Sequence, residues 1–279
     1  MLIVQSQSMD VYRNLAIEEY LMEHVTDSGP VLFLWRSECA VVIGKNQNPW
    51  RECRLDLMRS EGVSLARRIS GGGTVYHDAG NLNYCVIVDR MNYKEMQAFE
   101  MVVWALAPFG IRASRAGTSN LAVDGLKFSG NAFCFRRGRA LHHGTLLLAT
   151  DLCRLKRFLG SMVDGIETHA IPSVPAQVVN LGLSVEEVSC ALTESFSDVY
   201  GPGSLTHREE SSLDEGLLRL MEDRQRSEHW HYASTPRFQL EYEGCRLDIM
   251  KGVVADAVGP NAQKLMGRDF STLSFSAGC

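Results

Sequence analysis

The eight cysteines of this 279-residue chain, Cys39, Cys53, Cys85, Cys134, Cys153, Cys190, Cys245 and Cys279, form no C-x-x-C pair. That spacing excludes a zinc knuckle and a thioredoxin-type dithiol. Thiols scattered through a chain of this length read as reduced and intracellular. No run approaches the roughly 20 apolar residues of a membrane span, and the first residues carry no basic-then-apolar leader. A cytoplasmic protein without a membrane partner is therefore expected. Basic residues are not in excess: Lys plus Arg is 28 against Asp plus Glu 33, a formal net charge of −5. This argues against general nucleic-acid binding, which wants a basic surface, but leaves room for a local pocket for one small anion. There is no H-x-x-x-H pair and no carboxylate cluster beside the histidines, so a metalloenzyme is not indicated. The glycine-rich stretch is neither a P-loop nor a G-x-G-x-x-G fingerprint, and no internal repeat is present.

What is present is an ordinary globular composition, 45% hydrophobic and 22% charged. The length suits one large domain or a large one with a small one. Val31 to Trp35 and Ala40 to Ile43 are compact β-type runs, and Val63 to Ile69 and Tyr84 to Val88 are further strands. Asp10 is placed to cap a helix carrying Leu15, Leu21, Met22 and Val25, ended by Ser28-Gly29-Pro30. A second helix is expected over 93–108. Asp124-Gly125 marks a hairpin. Ser184 with Glu187 has capping-box spacing before a helix ended by Gly201-Pro202-Gly203, and Ser212 with Glu215 repeats that spacing. Phe238, Leu240 and Tyr242, then Leu247 and Ile249, alternate about a Glu243-Gly244 turn. Interleaved strands and helices predict a mixed-sheet α/β (α+β) fold with a short C-terminal β-rich appendage.

Three segments carry candidate chemistry. In Arg67-Arg68-Ile69-Ser70-Gly71-Gly72-Gly73-Thr74-Val75-Tyr76-His77, consecutive glycines let backbone N–H groups approach an anion, and the arginines offer charge-assisted bonds. The run equally fits a flexible hairpin loop with two surface arginines. Lys127-Phe128-Ser129-Gly130 sets a lysine at a strand start, as a point charge for a ligand or as a solvated side chain. In His142-His143-Gly144-Thr145 adjacent histidines on a strand point to opposite faces, so one faces a pocket while the other packs. Cys85, Cys134 and Cys190 lie on apolar segments and read as packing thiols. Spacing alone yields a ligand-binding α/β protein and no reaction.

Taken together, Arg67-Arg68-x-Ser70-Gly71-Gly72-Gly73-x-Val75-x-His77-Asp78-x-Gly80-Asn81 resembles the signature of the lipoate–protein ligase A and lipoyltransferase family. Asn14-Leu15-Ala16 with Glu18-Glu19, Leu32 to Trp35, Val42-Ile43-Gly44-Lys45-Asn46-Gln47-Asn48-Pro49-Trp50, Lys127-x-Ser129-Gly130-x-Ala132 and His142-His143-Gly144-Thr145 are similar to the family in the same order. The resemblance implies a biotin/lipoate-ligase-type catalytic domain over 1–228 and a shortened accessory module over 229–279. It implies lipoate, ATP and Mg²⁺ as reactants and cofactor, with lipoyl-adenylate passed to a lysine of a 2-oxoacid dehydrogenase lipoyl domain or of the glycine-cleavage H protein. By resemblance, Lys127 is the catalytic cation, and Arg68 with Gly73, Thr74, Val75 and Tyr76 meets the nucleotide. Trp35, Ser70, Gly71, Gly72, His77, Asn81, Gly130, His143 and Thr145 shape the acyl-adenylate pocket, with His77 and Asn81 ordering the loop.

The chain also departs from the family. Thr118-Ser119-Asn120 stands where ligases often carry Arg-Asn-Asp, and Ser173-Val174-Pro175-Ala176-Gln177 lacks two arginines often present there. The second expectation is therefore a lipoyltransferase that uses preformed lipoyl-adenylate or a separate accessory protein. A thiol-dependent octanoyl or lipoyl amidotransferase and a non-catalytic lipoate-binding protein follow behind it.

Overall fold

The computed structural model describes residues 1–25, 29–201, 203, 205–273 and 275; Ser28, Pro202 and Cys279, named above, lie outside the described residues. The strands are β1 (Leu2–Gln5), β2 (Val31–Trp35), β3 (Ala40–Ile43), β4 (Ser64–Arg67), β5 (Val75–His77), β6 (Asn81–Asp89), β7 (Ser114–Ala116), β8 (Asn120–Val123), β9 (Leu126–Arg136), β10 (Arg139–Leu147), β11 (Glu167–Thr168), β12 (Thr206–Glu209), β13 (Phe238–Tyr242), β14 (Cys245–Met250) and β15 (Val253–Val258). The helices are α1 (Val11–His24), α2 (Pro49–Glu52), α3 (Leu55–Ser60), α4 (Glu95–Leu106), α5 (Leu152–Phe158), α6 (Val185–Tyr200), α7 (Glu215–Arg226) and α8 (Ala262–Leu265).

A mixed eight-stranded sheet, in the order β12-β1-β2-β6-β10-β9-β8-β7, forms the centre. Alternation along its strands sorts the core into two layers. Val31, Phe33 and Trp35 of β2 face α1, while Leu32 and Leu34 face α4 and α6. Because both faces are covered, β2 and the 84–88 stretch of β6 read as unbroken apolar runs, which is why they were legible as strands. Asp10 caps α1 by accepting from Tyr12 N at 2.8 Å, and Ser184 caps α6 by accepting from Glu187 N at 3.2 Å. The second capping-box expectation is corrected: Asp214, not Ser212, caps α7. Ser212 lies in a 3-10 turn just upstream, and its hydroxyl donates to the Glu209 carbonyl instead. The Asp124-Gly125 and Glu243-Gly244 hairpins form as expected, each with both residues at positive φ.

A small sheet, β4-β3-β5, leans against the large one. Ala40 and Val42 of β3 join the α1 layer, and Val41 and Ile43 face the opposite way into a third core. That core is closed by the sheet β11-β13-β14-β15. Trp50 lies at its centre, 5.4 Å from the Phe238 ring and 4.9 Å edge-on from Phe270. Among the described residues no helix is long and apolar enough to cross a membrane.

One buried cation joins these parts. Arg67, fully inaccessible to solvent, donates to the carbonyls of Trp230 and His231, to those of Lys45 and Gln47, and to Thr235 Oγ1. Among the described residues no carboxylate pairs with it, and burial lowers its pKa to about 10. The guanidinium therefore ties the C-terminal segment to the turn at 44–47. Arg67→Met should cost about 3 kcal/mol or more, since several buried carbonyls lose their donor. Arg67→Lys should recover little, because an ammonium cannot reproduce the fork. Denaturant melts measure the loss, and hydrogen exchange should show residues 229–236 losing protection first; wild-type melts for both variants would refute this account.

Candidate functional site

A cavity of about 450 Å³ opens where the small sheet meets β9 and β10 of the large one. Strands β9 and β10 contribute Lys127, Gly130, Asn131, His143 and Thr145; the small sheet and its loop contribute Arg68, Gly72, Gly73, Thr74, Val75 and His77; α1 and β2 contribute Leu15, Glu18 and Trp35. A second cavity, about 510 Å³, shares Thr74, Val75, Lys127, Thr145 and the segment Pro172 to Val174. It runs on to Tyr76, Leu147, Leu155, Lys156, Leu159 and Val178. Lys127 thus stands at the junction.

The local fold aims that lysine. The β8–β9 pairing slips by one residue between Leu121 and Ala122, and such a bulge redirects a side chain. The Lys127 main chain is held from the other side, its N–H donating to Gln177 O at 3.0 Å and its carbonyl accepting from Val179 N at 2.9 Å. Gly130 leaves the space the side chain needs: a Cβ there would stand 3.0 Å from Lys127 Nζ. Burial, and secondarily the Arg68 charge, lowers the Lys127 pKa. No protein anion faces the ammonium among the described residues.

Glu18, on the buried face of α1, organises the far wall. Its Oε1 accepts from Trp35 Nε1 at 3.0 Å and its Oε2 lies 2.7 Å from His143 Nδ1. With Nδ1 donating to the carboxylate, His143 Nε2 accepts the Ser70 hydroxyl at 2.7 Å. Ser70 Oγ in turn accepts from Arg68 Nε at 3.0 Å. His142 points the other way, packed edge-on to Phe133 and Phe99, and burial lowers its pKa to about 3. The strand alternation that separates the two histidines was legible in the sequence.

The glycine loop is fixed by close approach. A Cβ on Gly44 would lie 2.4 Å from the Gly72 carbonyl, and Gly72 adopts φ +84°, a region that favours glycine. The Arg68 guanidinium donates to the carbonyls of Val42, Gly71 and Gly73, so much of its capacity goes to holding this loop. Its pKa is lowered to about 10 by burial. Gln47 links the loop to the segment beyond β11. Its Oε1 accepts from Thr74 Oγ1 at 2.9 Å, and its Nε2 donates to Ser173 Oγ at 3.0 Å.

The structure thus gathers Trp35, Arg68, Gly72, Gly73, Thr74, Val75, His77, Lys127, Gly130, His143 and Thr145 on one cavity wall. Ser70 and Gly71 sit behind that wall, in contact with His143 and Arg68. Tyr76 points to the opposite face of β5, as a strand requires; its hydroxyl donates to Cys39 Sγ at 3.4 Å and its side chain borders the second cavity. Asn81 is also removed from the wall and donates to Asn83 Oδ1 at 3.0 Å. Sequence reasoning gave no site role to Glu18, Gln47, Asn131 or the segment 171–174, although Glu18 and Gln47 stood in the family-like segments. A further signal for Glu18 was a carboxylate on an otherwise apolar helix face. None of the seven described cysteines lines either of the two cavities.

Comparison with known proteins places this geometry. Residues 10–197 match the family described as lipoyl protein ligase A/B catalytic domain. The chain is 39% identical to the mitochondrial lipoyl amidotransferase LIPT1 of Mus musculus, over 89% of this chain and 71% of that one. It is 38% identical to lipoate-protein ligase A of Bdellovibrio bacteriovorus, over 84% of this chain and 72% of that one. Among solved structures, P. falciparum LipL1 in complex with lipoate superposes with a TM-score of 0.74 at 26% identity, covering 92% of this chain and 83% of that one. A lipoate-protein ligase A bound with ATP superposes with a TM-score of 0.69 at 27% identity, covering 82% and 97%. By sequence and by structure, the chain belongs to the lipoate–protein ligase A/lipoyltransferase family.

Proposed function

We propose that this chain is a lipoate–protein ligase. It joins lipoate to the ε-amine of a lysine on a lipoyl domain of a 2-oxoacid dehydrogenase, or on the glycine-cleavage H protein, through lipoyl-adenylate made from lipoate and ATP. The observation that carries this reading is Lys127, an ammonium with no anion facing it among the described residues, at the junction of two cavities. The cavity ending at Trp35 and Leu15 takes the acyl chain, whose burial is worth about 0.8 kcal/mol per methylene. The cavity beyond Val75 takes the nucleotide. Residues 229–279 serve the site as an accessory module, held through Arg67.

Activation brings the lipoate carboxylate against a polyphosphate, two anions that repel. Lys127, with Arg68 behind it, offsets that repulsion where the charge collects. A carboxylate oxygen attacks the α-phosphorus and pyrophosphate leaves. In transfer, the acceptor lysine's neutral nitrogen attacks the acyl carbon. The bond from that carbon to the phosphate oxygen breaks, AMP leaves with the electron pair, and the nitrogen's proton passes to solvent. Lys127 stabilises the developing charge in both steps, and much of the rate comes from positioning. Glu18 and Glu52 are the carboxylates of the two walls, and both are engaged: Glu18 by Trp35 and His143, Glu52 by Arg51 and the Ser173 N–H. These residues do not fit a Mg²⁺ site, and no step is assigned to the ion.

A second reading, transfer of an already activated or protein-bound lipoyl group without ATP, is favoured by one observation. Thr118 to Asn120 and Pro175 to Ala176 bring no charged side chain to the cavity walls, so the outer phosphates of ATP find few partners.

Incubation with an apo lipoyl domain distinguishes the two, with lipoate and ATP in one arm and synthetic lipoyl-adenylate in the other. Modification in both arms is expected; modification from the adenylate alone would establish the second reading, and none from folded protein would overturn both. Lys127→Met should lower transfer in either arm by about a hundredfold or more. Gly130→Ala should lower it by about tenfold through displacement of the ammonium, while the melting temperature stays near wild type; an unaffected rate would refute that placement. Since burial depresses Lys127, the rate should rise with pH as the acceptor amine deprotonates and fall again below the ordinary lysine value of 10.5, as a pH–rate profile will show.

A further inference from the structure

Among the described residues, His77 is the one side chain on the deep wall whose polar atoms have no partner. It is 3% exposed and lines the first cavity, and neither Nδ1 nor Nε2 has a hydrogen-bond partner. Its place follows from β5: Val75 and His77 share the face turned to the cavity, while Tyr76 faces away. The other polar groups of that wall are occupied. Trp35 Nε1 and His143 Nδ1 are held by Glu18, His143 Nε2 by Ser70, and Asn83 Oδ1 by Asn81. Burying two unsatisfied ring nitrogens is unfavourable, and a buried orphan of this kind calls for an explanation.

Position narrows what it waits for. Lys127, Thr74, Val75 and Thr145 line both cavities, whereas Trp35, Glu18, His77 and His143 line the first alone. A ligand whose carboxyl group lies at Lys127 therefore brings its far end to His77. The His77 ring meets Trp35 edge-on, with centroids 5.4 Å apart. Burial holds the imidazole neutral, its pKa lowered to about 3, so it offers one N–H and one bare nitrogen beside an aromatic ring. A plain alkyl end satisfies neither. A sulfur atom accepts a weak hydrogen bond from the N–H and packs well against the indole.

We propose that His77 is a specificity-determining residue that selects a sulfur-bearing acyl tip over a plain alkyl chain of the same length. This rests on the acyl cavity assigned above and names the group that cavity is shaped to read.

Binding of lipoic acid and octanoic acid to the purified full chain, measured by titration calorimetry, tests it without requiring turnover. Wild type should prefer lipoate, and His77→Leu should lower the lipoate-to-octanoate affinity ratio by about fivefold, chiefly through weaker lipoate binding. His77→Gln, which keeps a donor and an acceptor, should restore part of the ratio. The ligand-free His77→Leu protein should melt no lower than wild type, because the substitution removes two unsatisfied buried nitrogens; that confirms folding in the same samples. An unchanged ratio in folded His77→Leu, or no wild-type preference for lipoate, overturns the inference and leaves the proposed ligase intact. Failure of wild type to bind either acid overturns the acyl-cavity reading and the inference with it.

Discussion

A positive charge without a counter-charge governs this site. Lys127 and Arg68 share a cavity whose lining carboxylate, Glu18, is engaged by Trp35 and His143. Burial pushes both toward their neutral forms; the Arg68 charge adds to the effect on Lys127, and the Glu18 charge opposes it on Arg68. The fold holds them there by main-chain bonds. Arg68 is pinned by carbonyls of its own loop, and the Lys127 backbone is clamped by residues 177 and 179. Such an arrangement gains stability when an anion enters and cannot collapse onto the protein when none is present. That is the electrostatic preorganisation an acyl-phosphate reaction needs.

The two arginines adjacent in sequence have opposite tasks, and strand alternation separates them. Arg67 turns away from the cavity into carbonyls of the C-terminal segment and the turn at 44–47. Arg68 turns toward the cavity. Gln47 on the same turn then reaches Thr74 and Ser173, so the C-terminal segment, the glycine loop and the segment at 171–174 are braced through one short stretch of chain. The tail beyond residue 228, small as it is, therefore bears on the geometry of the site through main-chain contacts.

Much of this was legible in residues alone. Apolar runs gave β2 and β3 to the residue, capping side chains gave the starts of α1 and α6, and the histidine pair gave its own split. The C-terminal hairpin was visible from its alternation. The site was legible only through the combined resemblance of several separated segments; a tri-glycine run or a lone lysine did not distinguish a ligand cradle from a surface loop. What escaped were contacts made at long sequence separation. Glu18 and His143 are adjacent only because α1 packs across β10. Asp214 replaced Ser212 as a cap because the intervening turn is 3-10, which spacing rules do not register. Tyr76 leaves the wall that its neighbours Val75 and His77 share because a strand sends alternate residues to opposite sides, and it borders the second cavity instead.

In the proposed reaction the two chemical steps make different demands on these walls. Residues 175 and 177 are proline and glutamine, neither of them charged, and the main chain of the same segment holds Lys127 through the Gln177 carbonyl and the Val179 N–H. A main-chain clamp is indifferent to side-chain identity, so this segment positions the lysine without adding charge to the walls. Proposed transfer from an adenylate places demands on one phosphate and one carbonyl, charge that a single cation at the cavity junction serves. Formation of the adenylate must also manage a departing pyrophosphate, and for that the walls offer Lys156 and Arg51 at the edge of the second cavity. Arg51 is already bound to Glu52 and the Ala170 carbonyl, which leaves the exposed Lys156 as the available cation on that side. On the proposed reading, activation is therefore the step for which these walls supply the least charge.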